Sequence, residues 1–70
     1  MPLVQVSVWQ GFGEEKAKKA IRGITQVFVD LGIPEHAVEV VIQEIPKTHW
    51  GIGGQPASER NPGGPASTRP

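Results

Sequence analysis

Leu3-Val4-Gln5-Val6-Ser7-Val8-Trp9 alternates with a period of two, and this stretch decides how the rest of the chain is read. Val4, Val6 and Val8 share one face, while Leu3, Gln5, Ser7 and Trp9 share the other, the pattern of a half-buried β-strand. Gly11-Phe12-Gly13 ends the alternation. From Glu14 the apolar period becomes helical: Ala17, Ala20, Ile21, Ile24, Val27, Phe28 and Leu31 form one stripe at i, i+3, i+4 and i+7 spacing. Glu14 and Glu15 stand where the positive end of a helix favours acids. Gly32 suits the left-handed position that closes a helix, and Pro34 forbids its continuation. Gly23, inside the helix, costs roughly 1 kcal/mol against alanine and reads as room for a close neighbour.

A second β-branched stretch runs from Ala37 to Ile45, with Val38, Val40 and Ile42 on one face and Glu39, Val41, Gln43 and Ile45 on the other. Strand, helix and strand make a βαβ unit, with parallel strands and a right-handed crossover. Its helix can cover only one face of the sheet. The other carries Leu3, Trp9, Val41 and Ile45, too apolar for water, and is expected to pack against the same face of another chain. After a turn at Pro46-Lys47-Thr48-His49-Trp50, the run Gly51-Ile52-Gly53-Gly54 suits a short hairpin where backbones approach closely. The fold class is therefore α+β: a βαβ unit with a C-terminal β-hairpin over residues 1–60. Pro, Gly, Ser and Thr dominate residues 61–70, which read as a flexible tail.

Composition excludes more than it names. The chain has 70 residues, seven basic and seven acidic side chains, and no cysteine. No basic field points to nucleic acid, and no apolar run approaches the ~20 residues of a membrane span. Without cysteine there is neither a disulfide nor a thiol nucleophile, and His36 and His49 make a poor metal site. The expectation is a small cytoplasmic domain with no metal and no cofactor. Domains of about 60 residues are marginal alone, and one without staples often completes its core by association.

Pro2 is the chemical candidate. Aminopeptidases generally remove Met1 from a Met-Pro start, which leaves a secondary amine at the edge of the first strand. An α-amino group titrates near ~8 in short peptides, and modest burial brings it towards neutrality. Such an amine can act as a general base with no help from His, Cys or metal.

Three features at matching separations point further: Pro2 opening the strand, the helix start Glu14-Glu15-Lys16, and the segment Glu44-Ile45-Pro46-Lys47-Thr48-His49-Trp50-Gly51-Ile52-Gly53-Gly54. Together they resemble the 4-oxalocrotonate tautomerase family over residues 2 to about 58, with a one-residue gap near the helix end. The resemblance implies a βαβ fold paired into dimers that assemble as hexamers. It also implies a 1,3-proton shift in enols and unsaturated keto acids, with Pro2 as the base. The aromatic that lines the family's apolar pocket falls on Trp50, and Trp9, Phe12, Glu39 and Ile52 complete the candidate substrate-binding set. An apolar pocket disfavours the ammonium and so lowers the amine's pKa.

Two positions depart from the family's pattern. Its tautomerases carry an arginine in the loop after the first strand, where this chain has Phe12, and another early in the second strand, where it has Glu39. Those arginines hold substrate carboxylates and stabilise the developing enolate. Three readings follow. Other cations, with Arg22, Lys47 and Arg60 as candidates, replace the missing ones and support a weak or redirected tautomerisation. Alternatively, Glu39 orients water for addition to an unsaturated acid, as in the family's hydratases and dehalogenases. In the third reading the chain is a partner subunit whose arginines come from a different chain. The expected assembly is accordingly a homo-hexamer or other dimer-based oligomer, or a hetero-oligomer, acting on a small anionic or enol substrate.

Overall fold

Two strands of seven residues, β1 (Leu3–Trp9) and β2 (Glu39–Ile45), pair in parallel, in a register that sets Leu3 opposite Glu39 and Trp9 opposite Ile45. The computed structural model describes residues 2–60; Met1 and the stretch 61–70 expected to form a tail lie outside the described residues. The connection between the strands is α1 (Glu14–Asp30), so the predicted βαβ unit is observed. Two further pieces, β3 (Gly51–Ile52) and β4 (Gln55–Pro56), make the expected antiparallel hairpin, followed by a one-turn helix α2 (Ala57–Arg60).

Each boundary has a local cause. The N–H of Gly32 donates to the Val29 carbonyl and that of Ile33 to the Phe28 carbonyl, the paired bonds that close a helix around a left-handed glycine. Gly32 takes φ +99°, as the sequence required. Pro34 then leads into a single 3₁₀ turn at Glu35–Ala37, so β2 begins at Glu39 and not at Ala37 as the β-branched run suggested. A second 3₁₀ turn, Lys47–His49, carries the chain from β2 to the hairpin. Its closure is tight: the Ala57 N–H donates to the Trp50 carbonyl at 2.6 Å, and Ala57 is completely buried.

Val4, Val6 and Val8 of β1 alternate with exposed Leu3, Gln5 and Ser7, as the period-two reading requires. Ala17, Ala20, Ile24 and Phe28 lie on the half-buried side of α1. Yet Ala57 is the one buried apolar residue among those described, and no large side chain is fully enclosed. Leu3 remains 56% exposed on the open sheet face, and Val27 and Leu31 are 57% and 72% exposed on the outer flank of α1. Fully burying a side chain of that size is worth about 1.5–3 kcal/mol, so these residues represent stabilisation that a single chain does not realise. Gly23, read as room for a neighbour, has none within its own chain: a Cβ there would meet nothing within 4 Å. No helix among the described residues is long and apolar enough to cross a membrane.

Gly32→Ala isolates the backbone cost of the helix stop, because a Cβ at Gly32 meets nothing within 4 Å. The substitution should lower stability by about 1 kcal/mol through the positive φ alone. Urea denaturation at fixed protein concentration measures it.

Candidate active site

The parallel register divides the candidate residues between the two ends of the sheet. Pro2 is half-buried at the start of β1, and its carbonyl accepts the N–H of Glu39 at 3.0 Å. Glu39 is exposed and leaves the sheet on the same face as Leu3, its register partner. These two residues form one end. Trp9, Phe12, Trp50 and Ile52 form the other, because Trp9 closes β1 and Trp50 packs on it. A seven-residue strand at ~3.3 Å per residue separates the two ends by about 23 Å. One chain does not bring Pro2 to Trp50.

At the far end, the rings of Trp9 and Trp50 meet edge to face, with centroids 6.0 Å apart and planes at 79°. Such a pair adds roughly 0.5–1.5 kcal/mol beyond the area it buries. Lys47 lies over the Trp9 ring with its Nζ 4.6 Å from the centroid, an attraction of about 0.5–2 kcal/mol. The Trp9 Nε1–H is shielded from solvent and has no acceptor. A buried donor left in that state costs about 1–3 kcal/mol. Ile52, in the hairpin that follows Trp50, is 37% exposed.

Phe12 is presented by a loop held from outside itself. The Glu44 carboxylate accepts the Gly11 N–H through Oε1 at 3.2 Å and the Gly13 N–H through Oε2 at 3.1 Å. Gly13 is the N-terminal cap of α1 and has no side chain to satisfy the helix end, so a carboxylate from β2 occupies the positive pole instead. Sequence reasoning quoted Glu44 without assigning it this task. The signal was present, since Glu44 falls in the phase of Val40 and Ile42, where an apolar residue is expected facing the helix. Lys16, at the start of α1, holds its Nζ 5.8 Å from the centroid of the Phe12 ring.

The three cations proposed as replacements for arginine separate clearly. Arg22 lines a groove of about 490 Å³ with Lys18, Glu35 and Val38, between α1 and the start of β2. Arg60 lies beside the hairpin turn, its Nη1 3.7 Å from where a Cβ on Gly53 would stand. Lys47 alone of the three touches a candidate pocket aromatic. His49 is exposed and hydrogen-bonded through Nδ1 to Thr48 Oγ1 at 2.9 Å, a turn contact.

Residues 2–60 match the sequence model of the family described as Tautomerase enzyme. A probable tautomerase of Ralstonia nicotianae is 44% identical over 59 residues, which span 83% of this chain and 84% of that protein. The 2-hydroxymuconate tautomerase of Pseudomonas putida is 39% identical over 62 residues, covering 87% of this chain and 98% of the relative. Among solved structures, a heterohexamer 4-oxalocrotonate tautomerase from Chloroflexus aurantiacus superposes with a TM-score of 0.76 at 28% identity, over 84% of this chain and 97% of that one.

Removing the Glu44 carboxylate tests the loop clamp. In Glu44→Ala, amide exchange at Gly11 and Gly13 should accelerate about tenfold, equivalent to roughly 1.4 kcal/mol, close to the lower bound for hydrogen bonds to charged groups. Exchange within β1 should stay slow. Uniform acceleration across β1 and the loop would show that Glu44 holds the sheet and not the loop.

Proposed function

The chain belongs to the tautomerase enzyme family, and we propose that it is a cofactor-independent keto–enol tautomerase using the Pro2 amine as general base. The observation that supports this most directly is the family match itself, which begins on Pro2 and extends through the last described residue. In the proposed reaction, the amine takes the enol proton as the oxygen lone pair forms the carbonyl. The displaced double-bond electrons then capture a proton from the ammonium at the carbon two atoms away. Charge and atoms balance without a co-reactant, and the amine is regenerated.

The pocket is assigned to a junction between chains. About 23 Å of β1 stands between Pro2 and the aromatic end of its own chain, far beyond hydrogen-bond reach. The Pro2 end of one chain therefore works against Trp9, Phe12, Trp50 and Ile52 of another. Exposed Leu3, Val41, Val27 and Leu31 supply the apolar surface for that association. The hexameric assembly named for the Chloroflexus aurantiacus relative supports a hexamer here, built from one chain or from two kinds of chain. Light scattering at micromolar concentration should return a multiple of two chains. A stable monomer would remove both the core and the site from this account.

Phe12 and Glu39 set the substrate preference. Neither attracts a carboxylate, so a dianion such as 2-hydroxymuconate, the substrate in the name of the Pseudomonas putida relative, should be handled poorly. The Glu39 backbone bonds to Pro2, and a Glu39 carboxylate turned towards the freed amine would favour the ammonium and weaken it as a base.

Mass spectrometry comes first, because a retained Met1 makes the Pro2 nitrogen a tertiary amide with no basicity. With Met1 absent, acetylation of the N-terminus should abolish turnover, and full activity after acetylation would exclude Pro2 as the base. Glu39→Arg should raise kcat/KM for an anionic enol several-fold. It should also move the acid limb of the pH–rate profile to lower pH, because a neighbouring cation disfavours the ammonium and keeps the amine free further into acid. Loss of hydration or dehalogenation of a small unsaturated acid in the same variant would instead identify Glu39 as the residue that orients water. Activity that appears only after mixing with an arginine-bearing homologue would identify the chain as a partner subunit.

A further inference from the structure

We propose that Lys47, held on the ring of Trp9, is the substrate's carboxylate-binding residue, and that it selects enols with a single carboxylate on an apolar or aromatic stem. The reaction it serves rests on the tautomerase reading above; the binding itself does not. Three observations converge on this side chain. Its ammonium is the only one of the three candidate replacement cations in contact with a pocket aromatic, 4.6 Å from the Trp9 centroid. It is half-buried, whereas Arg22 and Arg60 are exposed, so an anion reaching it is partly withdrawn from water and feels its charge more strongly. And it stands over an indole whose own N–H has no acceptor. Among the described residues this is the shielded side-chain donor that lacks a partner, and a carboxylate drawn to Nζ changes the field at that N–H.

The limit to one carboxylate follows from the rest of the charge pattern. At the aromatic end, Phe12 offers a ring, and the Trp9–Trp50 pair offers apolar surface. At the Pro2 end, Glu39 presents an acid. A ligand bridging the two ends meets a cation on one side, an anion on the other and aromatic surface between. A monoanion with a hydrophobic stem fits that polarity, and a second carboxylate would face Glu39.

A non-reactive probe tests the binding without any proton transfer. Uniformly ¹⁵N-labelled protein is titrated with 3-phenylpropanoate and, separately, with the neutral 3-phenylpropanamide. The indole N–H resonance of Trp9, assigned by its loss in Trp9→Phe, is followed throughout. The acid should shift this resonance saturably and bind at least about tenfold more tightly than the amide, a difference of roughly 1.4 kcal/mol. Lys47→Met should abolish that preference and Lys47→Arg should keep it. Equal binding of acid and amide by the wild type, an unmoved Trp9 resonance, or a preference that survives Lys47→Met would each overturn the proposal. In turnover, the ratio of kcat/KM for the enol of phenylpyruvate to that for its methyl ester should fall about tenfold in Lys47→Met. An unchanged ratio there would count equally against Lys47. Continued turnover after N-terminal acetylation would count against Pro2 alone.

Discussion

A two-stranded parallel sheet with one crossover helix has a face that its own chain does not cover. Every other property of this protein depends on that constraint. With only Ala57 fully buried among the described residues, the valines of β1 and the apolar side of α1 are half-sheltered at best. A domain of about 60 residues with so little enclosed is marginal alone in water. The same register that leaves the core open also keeps Pro2 and Trp9 a full strand apart. On the proposed reading, completion of the core and completion of the pocket are one event, since association that buries the open face would bring one chain's amine to another chain's aromatics.

Much of this was legible in the chain because it is periodic. Alternation in Leu3–Trp9 and the helical repeat of Ala17, Ala20, Ile24 and Phe28 report faces directly, whereas Ile21, Val27 and Leu31 of the same stripe stay exposed; the stop at Gly32 and Pro34 is local chemistry. What escaped was either too short to show a period or tied to a distant partner. The four residues of α2 cannot display a helical repeat, and the 3₁₀ turn that ends at Ala37 borrows a residue whose neighbours are β-branched. The Glu44 bonds to Gly11 and Gly13 span more than thirty positions, and no spacing rule announces them. The placement of Lys16 over Phe12 is in principle readable, since residues four apart meet on one side of a helix start.

The candidate site was only partly legible for a related reason. Residue type named Pro2 as a candidate, and the family resemblance added Trp50 and the two departures from arginine, but neither could rank the remaining cations. Packing did so. A lysine on an aromatic ring has a defined position and a lower cost of ordering than one in free solvent, which separates Lys47 from Arg22 and Arg60. Among the described residues, Lys16 and Lys47 are each positioned over an aromatic ring.

The loop that carries Phe12 is held by its backbone. Glu44 grips the amide on either side of residue 12, and nothing in that grip involves the side chain between. Whatever residue occupies the position inherits the same location and the same approach to the pocket. A lineage can therefore exchange a guanidinium for a phenyl ring in one codon, altering what the loop offers to a substrate while leaving its architecture untouched. The carboxylate on β2 makes specificity heritable separately from fold.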